Sequence, residues 1–329
     1  MHWGKLLPAI AGIAVLPGCI AFPDVSAFPE WAMIQEQMAA EAEPIQLDPL
    51  ILDQTDDFVI DASIAGQPVR LLVDLSHSGI ALNPDAAERL GLAPLTSLTS
   101  TRIGPVTVRR WIADAQVASG PVSSQQRLSW TERPITDEAD GIVNIANLPN
   151  PSVTLNLRPR RSEDRAITLP TRPRGGFALA YVHDDAGQNI DVRFLLSGPR
   201  SMATTATGAY LAETYGGSWD GPRRAHPILY GVERPVRPMR FARPVSFGGI
   251  LFQNPLVRMR DYQGEDLLPQ DAPSEETTIT VQGVGERTSA EHFVYVAYDI
   301  LGQCSSITYV RATRNLTLVC PPAVLAPPA

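Results

Sequence analysis

From about residue 51 to 320 the chain is a succession of short Val, Ile, Leu and Thr runs broken by glycine and proline, the pattern of many short strands rather than a few long helices. The runs repeat. Phe58 to Ile64, the turn Ala65-Gly66-Gln67-Pro68 and Val69 to Asp74 form one strand–turn–strand unit. Phe177 to Val182, a turn holding Ala186-Gly187-Gln188, and Val192 to Ser197 form a second. Each unit leads into a short helix. Asn83 and Pro84 supply cap and first turn before Ala86 to Leu90, with Gly91 as the stop. In the second copy Thr207 is expected to cap Gly208 to Tyr215, with Gly216-Gly217 ending it.

The later halves match as well. Asp140-Gly141-Ile142-Val143-Asn144 precedes strand-like runs at Val153 to Leu157 and Ala166 to Leu169. Asp299-Ile300-Leu301-Gly302 precedes Ile307 to Val310 and Leu316 to Val319. Four parallels in one order predict an all-β protein of two homologous lobes, near 51–170 and 171–322. The 329 residues suit two such domains, and 44% apolar content suffices for real cores.

Charge removes one class of partner. A net charge of −8 is the wrong sign for nucleic acid, whose phosphates require a basic face. The basic cluster Arg158 to Arg165 is interrupted by Ser162, Glu163 and Asp164 and reads as a solvated turn.

The N-terminus points to export. His2 and Lys5 precede an apolar stretch from Leu6 to Leu16, shorter than the ~20 residues a bilayer requires but of signal-peptide length. It ends in Leu16-Pro17-Gly18-Cys19, which resembles the bacterial lipobox and makes Cys19 the expected lipidation site; Pro17 leaves ordinary cleavage open. Residues 1–19 are then a signal peptide, 20–50 a tether with a possible helix over Glu30 to Glu43, and 323–329 a loose Pro/Ala tail. The expected location is the bacterial envelope, facing the periplasm and held to the membrane by lipid, or else soluble in the periplasm or secreted.

With Cys19 assigned to lipid, Cys304 and Cys320 remain as an even pair in an oxidising compartment. They flank two runs whose antiparallel pairing would bring them together as a disulfide.

The order hairpin, strand-end Asp, second hairpin, then apolar-apolar-turn resembles the retropepsin-like and pepsin-like aspartic peptidases, and Val69 to Gly79 with Leu90-Gly91-Leu92 looks like their bacterial periplasmic branch. The resemblance implies a bilobal fold with a cleft between β-barrel-like lobes. It also implies one catalytic Asp from each lobe, two carboxylates sharing one proton because both cannot ionise so close together. Asp74 is the lobe-one carboxylate, but Leu75 and Ser76 stand where a hydroxyl residue and glycine belong. In lobe two the matching position is Ser197, and Asn144 replaces the turn glycine that Gly302 retains. Asp74 is therefore expected to be ionised and hydrogen-bonded, with the Ser197 hydroxyl as the donor across the lobes. It can equally be read as a strand-end Asp capping local N–H groups.

Trp111 falls where the lobe-one flap hairpin of such a fold lies, either covering a ligand or packing under the hairpin. The five histidines form no His-Glu-x-x-His run, so neither a metal nor a cofactor is expected. Three functions follow: a pseudo-peptidase that binds peptide or protein in its cleft, an active aspartic endopeptidase using Asp74, or a structural envelope protein.

Overall fold

The computed structural model describes residues 47–327 except 55–56, 78, 96–98, 175–176, 185, 262–266 and 270–291. The expected signal peptide, the expected lipidation site Cys19 and the expected tether as far as residue 46 lie outside the described residues. Residues from Leu47 onward form one compact unit.

The strands of the first half are β1 (Leu50–Asp53), β2 (Val59–Ile64), β3 (Gln67–Asp74), β4 (Ile80–Leu82), β5 (Thr99–Ile103), β6 (Val106–Ser119), β7 (Val122–Trp130), β8 (Gly141–Asn144), β9 (Ser152–Asn156) and β10 (Arg165–Arg174). Six of them, in the order β2-β3-β8-β4-β7-β6, close into a barrel through the β2–β6 pairing at Ser63↔Ala118 and Ile64↔Val117. The β2–β3 hairpin closes on Ala65 and Gly66, both at positive φ, as a two-residue turn matched to strand twist requires.

The second half adds β11 (Phe177–His183), β12 (Asn189–Leu195), β13 (Met202–Ala203), β14 (Gly217–Trp219), β15 (Arg224–Leu229), β16 (Val232–Phe241), β17 (Ser246–Phe247), β18 (Ile250–Leu251), β19 (Leu256–Arg258), β20 (Phe293–Ala297), β21 (Ser306–Val310) and β22 (Asn315–Cys320). The fold is all-β, and the duplication is visible in its strand pairing. In the first half β3 runs parallel to β8, β8 antiparallel to β4, and β4 parallel to β7. In the second, β12 runs parallel to β20, β20 antiparallel to β13, and β13 parallel to β19. A helix follows β4 at Pro84–Arg89 and β13 at Thr205–Tyr215.

The halves are not separate bodies. β21 and β22 insert between β9 and β10 of the first half, so one sheet carries strands from both. The hairpin β5–β6 crosses the other way: Ile103 is buried in an apolar cluster with Leu195, Met202, Tyr230, Val236 and Phe293. Its turn begins at Gly104, at φ +60°, where any side chain would collide with the Asp261 carboxylate.

Three expectations need correction. The second helix starts a turn earlier, because Thr204 rather than Thr207 is the cap, its hydroxyl accepting from the Thr207 N–H. The segment after Cys320 is not loose: Pro322–Val324 form a 3-10 turn, Val324 and Leu325 are buried, and Ala326 N–H donates to Gly249 O. The aliphatic pair has a core to enter, which composition alone does not reveal. Nor is Arg158 to Arg165 simply solvated: buried Asp164 accepts from Arg158 at 2.7 Å and from the Arg161 N–H at 2.8 Å, and these bonds hold its carboxyl down at about 2.

Cys304 and Cys320 form the expected disulfide. It closes a loop of sequence separation 16 around the β21–β22 hairpin. Replacing both by Ser should cost about 3 kcal/mol by the chain-entropy estimate. Urea melts of the variant against the parent give the number, and equal midpoints would show that the hairpin is held by packing alone.

Candidate functional site

Asp74 is the last residue of β3, which lies between β2 and β8 in the barrel; Leu71 to Val73 are buried, so the strand end is fixed. The chain then turns through Leu75, Ser76 and His77. Asp74 is fully buried. Its Oδ1 accepts from the N–H of Leu75 at 2.5 Å, of Ser76 at 3.3 Å and of Leu196 at 3.3 Å. Its Oδ2 accepts from the hydroxyls of Ser76 at 3.1 Å and Ser197 at 2.8 Å. The local capping and the bond across the halves therefore coexist: three donors come from the Asp74 turn and two from the segment after β12.

Asn144 pins this turn. It ends β8 directly opposite Asp74, and its side chain donates to the carbonyls of Leu75 at 3.1 Å and His77 at 2.5 Å while accepting from the Ala146 N–H. A glycine there could do none of this. The asparagine is thus a support for a modified loop rather than a blemish on a motif, a role no sequence pattern announces. In the second half Asp299 does similar work, accepting from Ser201 N–H at 2.9 Å and Oγ at 2.6 Å.

Ser76 also bridges to His77, Oγ to Nδ1 at 2.8 Å. The serine hydroxyl has one proton, and donation to Asp74 leaves it an acceptor toward His77. The order carboxylate–hydroxyl–imidazole is not that of a nucleophilic triad, in which the imidazole sits between the other two. Burial holds His77 down at about 4, with Asp74 opposing that shift and Arg110 adding to it, so the ring is neutral near pH 7. Among the described residues no three His, Cys, Asp or Glu side chains gather as a metal set would.

Trp111 is not brought to Asp74. It stacks on Trp130 with ring centroids 6.5 Å apart and lines a separate groove with Pro84, Leu92 and Glu132. Its neighbour Arg110, with Thr101, Arg102 and Ile103 of the same hairpin, shares a cavity wall with Ser76 and His77.

No family model matches the sequence, and no curated protein does. Among solved structures, one that matches is a retropepsin-like aspartic protease from Rickettsia conorii. The match is 22% identical, covers 26% of this chain and 63% of that one, and has a TM-score of 0.21.

Proposed function

We propose that this is an exported, aspartic-peptidase-like envelope protein that binds peptide or protein segments between its halves and does not hydrolyse them. The observation that carries the reading is the saturation of Asp74. A carboxylate offers about four lone-pair positions, and five donors already point at this one. None is left for a water, and the position that would supply a second carboxylate offers the Ser197 hydroxyl at 2.8 Å instead. General acid–base hydrolysis requires a free acceptor and a second partner within reach. The Cys304–Cys320 disulfide and the sequence of residues 1–19 support an oxidising, periplasm-facing location with Cys19 as the anchor.

The expected result is no Asp74-dependent cleavage of an unstructured protein from neutral pH down to about pH 3, the range in which shared-proton dyads work. Peptides from the same protein are expected to bind. Cleavage that disappears in Asp74→Ala would overturn the reading in favour of an active endopeptidase.

A further inference from the structure

Beside the Asp74 turn, between the β5–β6 hairpin and strands β12, β19 and β20, lies a cavity of about 50 Å³. Its wall includes His77, Arg110, Arg193, Tyr230, Arg258 and Tyr295, and no Asp or Glu among the described residues. One water needs roughly 10–15 Å³ on this measure, so the space suits a few waters or one small charged head group, not a length of peptide backbone.

The chemistry of the wall is cationic. Arg258 is only 2% exposed. Its Nε forms an ion pair with Asp261 at 2.6 Å, but neither Nε nor Nη2, nor either Asp261 oxygen, has a well-directed hydrogen bond among the described residues. Asp261 is itself shared, lying 3.5 Å from Arg234 Nη2, so one carboxylate faces two guanidinium groups. Arg110 Nη1 donates to Thr101 Oγ1 at 3.2 Å, and its Nε has no partner among the described residues. Arg193 is held by ring stacking, its guanidinium 3.8 Å from the Phe293 centroid. His77, neutral above about pH 4, adds no charge.

Buried guanidinium N–H groups without acceptors are costly, and such orphans call for an explanation. An anion is the simplest one. A planar carboxylate matches the arginine fork better than a round ion of the same charge.

We propose that this cavity is a subsite for a side-chain or terminal carboxylate of an acidic peptide, received by Arg110 and Arg258. The peptide rests on the binding reading above; the carboxylate site stands on the cavity itself.

The test uses calorimetric titration of the full chain with succinate, inorganic phosphate and two hexapeptides differing only by Glu against Gln. Succinate should bind, phosphate more weakly, and the Glu peptide roughly tenfold more tightly than its Gln twin. Arg110→Gln, at a half-buried position, should weaken succinate and the Glu peptide by roughly tenfold and leave the Gln peptide unchanged. Absence of succinate binding, tighter binding of phosphate than of succinate, or unchanged succinate affinity in Arg110→Gln would each overturn the proposal. Succinate binding with neither peptide bound would instead remove the peptide reading and leave the carboxylate site in place.

Discussion

Asp74→Asn should destabilise the protein by about 4 kcal/mol near neutral pH, the cost typical of removing one side of a buried, charge-assisted network. The substitution keeps one acceptor oxygen and turns an NH2 group toward donors. If the amide nitrogen replaces Oδ2 it faces the hydroxyls of Ser76 and Ser197; if it replaces Oδ1 it faces three backbone N–H groups that cannot rotate away. The second orientation leaves buried N–H groups unpaired, at about 1–3 kcal/mol each, and the first requires both hydroxyls to turn and accept in place of donating to a charge. Ser197→Ala removes one donor from an exposed residue and should cost only about 1 kcal/mol. In the double variant the two effects should fall short of their sum, because they share one bond. Urea melts of the four proteins measure all of this. The sign also separates the functional readings. Catalytic residues held for activity are commonly neutral or stabilising to remove, so a neutral Asp74→Asn would contradict a structural carboxylate and revive the peptidase.

That prediction depends on contacts the sequence shows unevenly. The duplicated hairpins were legible because each is a local event, two β runs around a glycine turn, and the shared order of elements exposed the repeat. The pairing of Asp74 with Ser197 was legible through that repeat, since aligning Val69–Asp74 on Val192–Ser197 sets the two positions opposite each other. Asn144 was visible only as a missing glycine. Its role depends on register, which places it opposite Asp74 and within reach of two carbonyls. Register likewise decides between Arg110 and Trp111. Adjacent residues on a strand face opposite sides, but β6 buries both Ile112 and Ala113, so its sequence lacks the alternation that would show which side faces the Asp74 loop. The insertion of β21 and β22 between β9 and β10 was hidden for another reason. It is a non-local pairing, and the lobe boundary near 170 falls inside β10, a strand of the shared sheet.

His77 should make the protein acid-sensitive in a narrow window. Its pKa is lowered by burial to about 4 in the folded chain, against 6.5 when exposed. The folded state therefore binds fewer protons than the unfolded state between those values. The stability from keeping the ring neutral is fully present above 6.5, falls as pH drops toward about 4, and is gone below it. The size is on the order of 3 kcal/mol, at 1.36 kcal/mol per pKa unit. Asp164 acts lower: its stability is present above 3.8 and is lost as pH falls through about 2, so the two ranges barely overlap. His226 is shifted in the same direction as His77, so the wild-type slope alone does not isolate one ring. The difference between wild type and His77→Gln does. The variant should start less stable at neutral pH and lose markedly less on acidification, with the two curves converging near pH 4. Parallel curves would show that burial leaves the His77 pKa unshifted between the folded and unfolded chain. Shared-proton peptidases are built to hold together where one carboxyl is protonated. A core that expels a proton from His77 beside the Asp74 loop is built for the opposite regime, neutral pH with the Asp74 network intact.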